Sequence, residues 1–176
     1  ARAAQLDPRS ATAARRLAAV KLFLRDYPAA DSAADRAVAL DPTNPGMIFM
    51  QVMVAAARGD LGRGREIIRR AAATVDPDLL FPFFASYQDL YWVLDDSAQR
   101  QVLTAPPAAF DDDRGSWALV RAELHHLRGD PVRAAIYADS ARLAFLAQSR
   151  EAPEDAQRHA LLGLTLAYLG RKAEAI

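Results

Sequence analysis

The chain has 176 residues, of which 52% are hydrophobic and none is cysteine. Its 22 basic and 22 acidic residues give a formal net charge of zero, so it lacks the positive charge typical of nucleic-acid-binding domains, and we expect no nucleic acid as a partner. The missing cysteines exclude disulfides and thiolate chemistry, and no apolar run approaches the ~18 residues of a membrane span. We therefore expect no membrane insertion.

Two markers recur along the chain and place the predicted helices. The first is a short apolar–Asp–Pro exit that ends at Pro8, Pro42 and Pro77, at intervals of 34 and 35 residues. The second is a turn signal between these exits, seen as Arg58-Gly59-Asp60 and Arg128-Gly129-Asp130, with related signals at Arg25-Asp26 and Leu169-Gly170-Arg171. Two markers per period predict a helix, a turn, a second helix and a proline-marked exit. The 39 alanines favour close packing of such helices.

In chain order, the pattern predicts one solenoid built from successive helix pairs. Residues 1–10 are predicted to end a preceding repeat, 11–44 and 45–78 to form regular repeats, 79–112 a degenerate repeat, 115–148 a fourth, and 156–176 a truncated last repeat. Residues 149–155 are predicted to be an insertion, with Pro153 in the first turn of the last helix. A chain that begins and ends inside repeats is expected to be a piece of a longer protein.

Aspartates and prolines near the turns predict how the helices begin. Asp26, Asp60 and Asp130 each follow a turn and are expected to cap the next helix, while Pro131 suits the first position of a helix. The two Arg-Gly-Asp triplets are therefore interpreted as turn and cap sequences rather than as adhesion motifs.

The degenerate repeat is rich in aromatic residues. Pro82 is expected either to delay the start of a helix or to kink it, and the partner helix is expected to be short, capped near Asp95 and ended by Pro106-Pro107. Two interpretations stay open for the aromatics: they fill the core beside a shortened helix, or they line a pocket for a peptide or small ligand. The residues concerned are Phe81, Phe83, Phe84, Tyr87, Tyr91 and Trp92.

No residue pattern indicates catalysis or a cofactor. His125 and His126 are adjacent and point to different faces of a helix, and His159 is distant in sequence, so none has metal-motif spacing. No phosphate-binding glycine motif and no nucleophile–base pair occur. We expect no enzyme activity, no cofactor and no metal. The acidic turn at 111–113 is interpreted as helix caps and solvated surface rather than as a weak cation site.

The repeat pattern resembles the tetratricopeptide repeat. The clearest match is His159–Ile176, where Leu162-Gly163 falls at the motif's Leu-Gly pair, Gly170 at its turn and Ala175 at the first small residue of its second helix. No repeat has the motif's opening Trp. The resemblance implies an all-α fold: a right-handed α-solenoid of antiparallel helix pairs.

The resemblance also implies a protein-binding scaffold whose first helices line a concave groove. Carried over to this sequence, the implied groove residues are mostly apolar and lack the basic set that clamps a peptide carboxylate. With two tyrosines from the aromatic stretch, they are Arg15, Leu22, Phe23, Phe49, Met53, Tyr87, Tyr91, Leu119, Glu123, His126, Leu164 and Tyr168. The expected partner is a protein or a peptide.

A narrower resemblance lies in Asp89–Asp96 and Ala108–Gly115. These stretches are similar to the C-terminal repeat regions of bacterial serine/threonine-kinase-type signalling proteins from high-GC genomes. This similarity implies a docking portion of a larger bacterial protein, in the cytoplasm or, behind a transmembrane segment, outside it. The alternative hypothesis is a self-assembly element that forms homo-oligomers through repeat ends or groove faces.

Overall fold

The structure is a computed structural model that describes residues 7–87 and 89–175, with only the backbone of Tyr87. The helix end predicted within residues 1–10 therefore lies mostly outside the described residues. The chain divides into two compact units: unit 1 comprises residues 1–80 and unit 2 comprises residues 81–176. The described residues form nine α-helices with one π-helical and two 3-10 turns, and they contain no strand.

Unit 1 holds two helix pairs: α1 (Ala11–Phe23) with α2 (Tyr27–Leu40), and α3 (Pro45–Ala57) with α4 (Leu61–Ala71). Helix α5 (Pro77–Pro82) carries the boundary between the units, and a π-helical turn (Phe83–Tyr87) follows it. Unit 2 continues with α6 (Asp96–Thr104), a 3-10 turn (Pro107–Phe110), α7 (Arg114–Leu127), α8 (Pro131–Glu151), α9 (Ala156–Tyr168) and a 3-10 turn (Lys172–Glu174).

The turns inside the helix pairs share one backbone geometry. Gly59, Gly129 and Gly170 all have positive φ angles, of 77°, 75° and 72°. At the equivalent place after α1, Arg25 adopts a φ of 57°, a conformation that glycine tolerates far better than arginine. In each turn the next backbone N–H donates to a carbonyl five residues back, at 2.9–3.0 Å, as in the Schellman motif.

The predicted caps are confirmed. The side chains of Asp26, Asp60 and Asp130 each accept a hydrogen bond from the backbone N–H three residues later, at 2.9–3.4 Å. Pro131 is the first residue of α8, as predicted. The Arg-Gly-Asp triplets thus supply a left-handed glycine and a capping aspartate, which are local requirements of a tight helix–turn–helix connection.

In the first helix pair of unit 1, every buried residue of α1 and α2 is alanine. Ala18 of α1 and Ala34 of α2 are fully buried and meet Met50 of α3 in one apolar cluster. A second cluster joins Ala14, Ala37 and Met47. Small side chains at these crossings let the helix backbones approach closely, which explains the alanine content of this part of the chain.

Unit 2 packs larger groups around helix α7. Its partner α8 contributes Ala141 and the buried ring of Phe145, which lie against Ala118 and Leu119 of α7. Gly115 lies so close to Phe145 that an added Cβ would be 2.5 Å from the ring. Leu161 and Leu162 of helix α9 pack against the same cluster. Helix α7 is therefore held by a tightly fitted contact.

The residues predicted as an insertion, 149–155, are divided between the end of α8 and the segment before α9. Helix α8 continues through Glu151, and Ser149 is buried on the same helical face as Phe145. The prediction that Pro153 lies in the first turn of α9 is wrong, because this residue directly follows Ala152, the C-cap of α8. Proline is common just after a helix end, and Asp155 is the residue that caps α9.

The aromatic stretch begins in a helix whose geometry changes at a proline. Helix α5 starts at Pro77, so a delayed start at Pro82 is wrong; instead, the chain passes from α-helical to π-helical geometry directly after Pro82. Proline lacks the N–H that an α-helix needs at this place. Phe84 in the π-helical turn is fully buried. Asp95 caps α6, which ends before Pro106, as predicted.

No helix in the described part of the chain is both long enough and apolar enough to span a lipid bilayer.

Candidate binding site in unit 2

In unit 1, the structure gives the predicted groove residues two different environments. Leu22 and Phe49 are half-buried and pack against the Ala18–Met50 cluster, so they contribute to the core. Arg15 and Met53 are half-buried as well. Phe23, at the end of α1, is 87% exposed.

In unit 2, the structure brings several predicted groove residues together. The hydroxyl oxygens of Tyr91 and Tyr168 lie 3.4 Å apart, and the ring of His126 meets the ring of Tyr168 edge to face at a centroid distance of 5.4 Å. Glu123 lies one turn before His126 on α7, near enough for its charge to act on Tyr168. Four of the predicted residues therefore form one local group.

The remaining predictions for unit 2 divide between buried and exposed positions. Leu119 is buried in the contact of α7 with α8, whereas Leu164 on α9 is exposed. The side chain of Tyr87 lies outside the described residues. Among the other aromatics, Phe81, Phe84 and Phe110 are buried, and Trp92 is exposed. The buried phenylalanines agree with the core interpretation, while Tyr91 reaches the Tyr168 group.

The group adjoins a cavity of about 400 Å³ that lies wholly within unit 2. This volume lies in the range of ligand pockets, which starts at roughly 300 Å³. Five carboxyl groups line it, from Asp89, Asp111, Asp113, Glu123 and Asp155. Its apolar lining comes from Phe110, Leu119, Val120, Phe145 and Leu161. Ser86, Ser116, Gln148, Gln157 and Arg158 complete the wall.

Two of these carboxyl groups have structural duties. Asp113 caps α7 by accepting from the backbone N–H of Gly115, and it also accepts from Ser116 at 2.7 Å and from Gln148 at 2.9 Å. These hydrogen bonds lower the pKa of Asp113 although burial opposes them. Asp155 caps α9 and pairs with Arg158 at 2.9 Å, which lowers its pKa.

Glu123 is in a different situation. It is only 4% exposed, and among the described residues its carboxyl group has no hydrogen-bond or ion-pair partner. Burial, and after it the charge of Asp89, raises the pKa of Glu123 to about 8. Desolvation disfavours the charged carboxylate, so the free protein holds this group mainly as the neutral acid at neutral pH.

Asp89 faces the same cavity from the loop after the π-helical turn. Its backbone is left-handed, with φ of 50°, and its carbonyl accepts a hydrogen bond from the indole N–H of Trp92 at 3.1 Å. Partial burial raises the pKa of the Asp89 carboxyl. Asp89 and Glu123 therefore face the same cavity, where the charge of Asp89 disfavours ionisation of Glu123.

The tyrosine and histidine side chains form the neighbouring edge of the site. Burial raises the pKa of the Tyr168 hydroxyl, with further contributions from the hydrogen bond with Tyr91 and from Glu123. His125 stacks on Tyr137 of α8 at 5.4 Å, whereas His126 faces Tyr168 of α9. The two adjacent histidines thus point to different faces, as predicted.

Helix α7, which carries Leu119, Glu123 and His126, is fixed by a buried arginine. Arg121 donates to the carbonyls of Leu103 and Ala105 at 2.8 and 2.7 Å, and its guanidinium lies 4.1 Å from the centre of the Trp117 ring. Burial lowers the pKa of Arg121. A cation near the C-terminal end of a helix interacts favourably with the helix dipole. Arg121 of α7 therefore stabilises the C-terminal end of α6 and connects the two helices.

The sequence prediction of the groove did not include Asp89, Asp113 or Gln148. One local signal existed for Asp89, since it is a single acid inside an apolar and aromatic stretch. Asp113 was recognisable as a cap, but its approach to Gln148 joins residues 35 positions apart and depends on how α7 packs against α8. No three His, Asp or Glu side chains in the described part of the chain form a group that could hold a metal ion.

Comparison with known proteins places the fold. No protein-family model matches the chain, and no curated protein sequence matches it. Two solved structures match 98% of the chain at 17% identity: the crystal structure of the APC/C hetero-tetramer Cut9–Hcn1, with a TM-score of 0.58, and that of PilW, described as a widely conserved type IV pilus biogenesis factor, with a TM-score of 0.55.

Both neighbours are tetratricopeptide-repeat proteins. This chain has their α-solenoid fold. The predicted fold class, an all-α solenoid of antiparallel helix pairs, is therefore confirmed. The chain spans 32% of the matched chain of Cut9–Hcn1 and 76% of that of PilW.

Proposed function

We propose that this chain is a non-catalytic scaffold that binds a protein or peptide on the face formed by the first helices of its helix pairs. The α-solenoid fold supports the general role, because such folds present extended surfaces to protein partners. One observation carries the proposed location: His126 of α7 contacts Tyr168 of α9, and Tyr168 contacts Tyr91, beside a cavity of about 400 Å³.

The wider context we propose is a larger bacterial signalling protein. Its support is the similarity of Asp89–Asp96 and Ala108–Gly115 to repeat regions of kinase-type signalling proteins. The Cut9–Hcn1 structure is described as a hetero-tetramer, so at least one protein with this fold assembles with others. We propose a polypeptide partner, and neither nucleic acid nor a cofactor, for this chain.

A random peptide library displayed on phage tests the proposal. We expect the full chain to enrich a family of peptides whose binding is lost when His126→Glu and Leu164→Glu are combined on the first-helix face. The matched control is Leu143→Glu on α8, a second helix, where Leu143 is also exposed. Failure to enrich any peptide, or equal loss in the control, would contradict the proposal.

A second candidate function is self-assembly, which is favoured by an exposed apolar patch at the end of α1. Val20, Phe23 and Leu24 are all exposed there, and Phe23 almost completely. Light scattering on the wild type and on Phe23→Ser separates the two functions. A wild-type oligomer that becomes monomeric on substitution supports self-assembly, whereas a monomer in both cases supports the scaffold.

A further inference from the structure

We infer that the cavity in unit 2 receives a basic side chain, arginine or lysine, from the bound peptide, with Glu123 and Asp89 as its counter-charges. This inference deepens the proposed function and rests on it. It is based on which charged groups of the cavity lining already have hydrogen-bond or ion-pair partners.

Most charged groups of the cavity are already engaged. Asp113 accepts three hydrogen bonds as the cap of α7, and Asp155 holds Arg158, which is the cation in the described lining. The carboxyl groups of Glu123 and Asp89 are different, because neither has a hydrogen-bond or ion-pair partner within the described parts of the chain. The cavity therefore contains uncompensated acidic groups beside compensated ones.

Glu123 is the stronger indicator of a ligand. A carboxyl group that is almost fully buried is unfavourable unless a hydrogen-bond donor or a cation compensates it. Here the charge that acts on Glu123 comes from another acid, Asp89, which raises the pKa of Glu123 further. A cation that entered the cavity would compensate both groups at once and, with water excluded, would be held more strongly than at an exposed acidic surface.

The rest of the lining favours a cation on an apolar stem. Phe110, Leu119 and Leu161 are at the same cavity as the two acids. Arginine and lysine side chains match this lining, because their methylene groups pack on apolar surface and their charged ends pair with carboxylates. Calcium and magnesium instead take six or more oxygen ligands around one point, and no three acidic or histidine side chains of the described residues form a group that could hold a metal ion. A side chain of the bound peptide fits the mixed lining best.

The experiment compares two peptide libraries that differ in one charge. Each library has random flanks around a fixed central residue, which is arginine in the first and its neutral isostere citrulline in the second. We expect the full chain to bind the arginine library at least about tenfold more tightly, as measured by fluorescence anisotropy. Glu123→Gln removes this preference, whereas the control Glu151→Gln, the same change at an exposed position of α8, keeps it.

Proton release provides a second measurement that does not depend on a variant. Glu123 is mainly protonated in the free protein at pH 7, and a bound cation lowers its pKa, so binding of the arginine library releases close to one proton. Calorimetry in buffers of different ionisation heat detects this release. The groups that face Glu123 are Asp89 and Tyr168. Burial raises the pKa of the Asp89 carboxyl and also that of the Tyr168 hydroxyl, which stays protonated.

The outcomes separate this inference from the proposed function. Equal binding of both libraries leaves the scaffold intact and overturns the inference, as does an arginine preference that survives Glu123→Gln. Binding of neither library contradicts the proposed function itself. Two further probes test other cations: if spermidine or calcium chloride shifts the Glu123 carboxyl resonance while the arginine library does not, the site takes a small cation and the inference is wrong.

Discussion

Unit 1 and unit 2 are both built from packed helices, but they differ in the side chains that they bury. In unit 1 the helices meet through alanines such as Ala18 and Ala34, and its described core is apolar. In unit 2 the buried set includes charged and polar residues, Arg121 and Glu123 among them. The first helix pair thus packs through small residues. Unit 2 buries charged side chains and contains a cavity, and helix packing by itself requires neither.

This difference connects stability with function. Burying a charged group is unfavourable, and proteins tolerate it where the group fixes a structure or meets a ligand. Arg121 has the first role, because it holds the end of α6 against α7. Glu123 lacks such structural partners among the described residues, and we propose the second role for it. Four comparisons of variants test the contrast between the units, and they follow in order of expected effect.

Arg121→Ala should have the largest effect. The change removes the arginine donor from the carbonyl of Leu103, takes one of two donors from the carbonyl of Ala105, which keeps the indole N–H of Trp117, and opens a cavity beside Trp117. We therefore expect a loss of about 3–5 kcal/mol in the free energy of unfolding. Urea denaturation measures it. The control Arg128→Ala removes an exposed ion pair with Asp96 and should lower stability by less than about 1 kcal/mol. Equal losses would show that burial of Arg121 is unimportant.

Glu123 should make stability depend on pH. Its folded pKa of about 8 lies above its ordinary value of 4.5, so protonation stabilises the folded state fully below pH 4.5, and this contribution is lost as the pH rises through 8. Relative to Glu123→Gln, wild-type stability should fall on the order of 3 kcal/mol between pH 5 and pH 8. Urea denaturation at both pH values checks this. Parallel pH profiles would mean that Glu123 is solvated.

Two glycine-to-alanine changes compare the fit of the helices. A Cβ at Gly115 in unit 2 meets the buried Phe145 ring, so Gly115→Ala should destabilise by about 1–3 kcal/mol. A Cβ added at Gly62, in α4 of unit 1, would lie 3.6 Å from the nearest side-chain atom, which is an ordinary contact distance. Gly62→Ala should therefore stabilise the fold by up to about 1 kcal/mol, because alanine has the higher helix propensity. Thermal denaturation followed by circular dichroism shows both signs. Destabilisation by Gly62→Ala would contradict the free space beside this exposed glycine.

The smallest expected effect concerns the turns. Arg25 has the left-handed backbone that glycine supplies in the related turns, so Arg25→Gly should stabilise unit 1 by about 0.5 kcal/mol once the added flexibility of the unfolded chain is subtracted. The reverse change in the same unit, Gly59→Ala, should destabilise it by about 1 kcal/mol. Urea denaturation resolves the opposite signs, and two changes of the same sign would be inconsistent with equivalent turns.

The sequence predicts the local parts of this molecule well, for a physical reason. Caps such as Asp60 and turns such as Gly59 depend on residues three to five positions apart, so their signals are present in the sequence itself. The extension of α8 was missed because Pro153 suggested a helix start, although proline is as frequent just after a helix end.

The site depended on contacts that local patterns do not contain. Glu123 was identified as a groove residue by its place in the repeat, but its burial and its proximity to Asp89 arise from packing between distant segments. Asp89 lies in the loop after a π-helical turn, and Pro82 was the one sequence signal that we recognised for this change of geometry. Repeat phase thus locates a face, and tertiary structure decides which of its residues share a cavity.

The most direct test of the binding site is methyl NMR on the full chain, labelled at leucine, valine and isoleucine, with a peptide selected from the library. We expect the largest shift changes at Leu119, Val120 and Leu161, which line the cavity in unit 2, and no change at Ile67 in unit 1. Shifts centred on Ile67 and its neighbours, with Leu119 and Leu161 unchanged, would contradict the account.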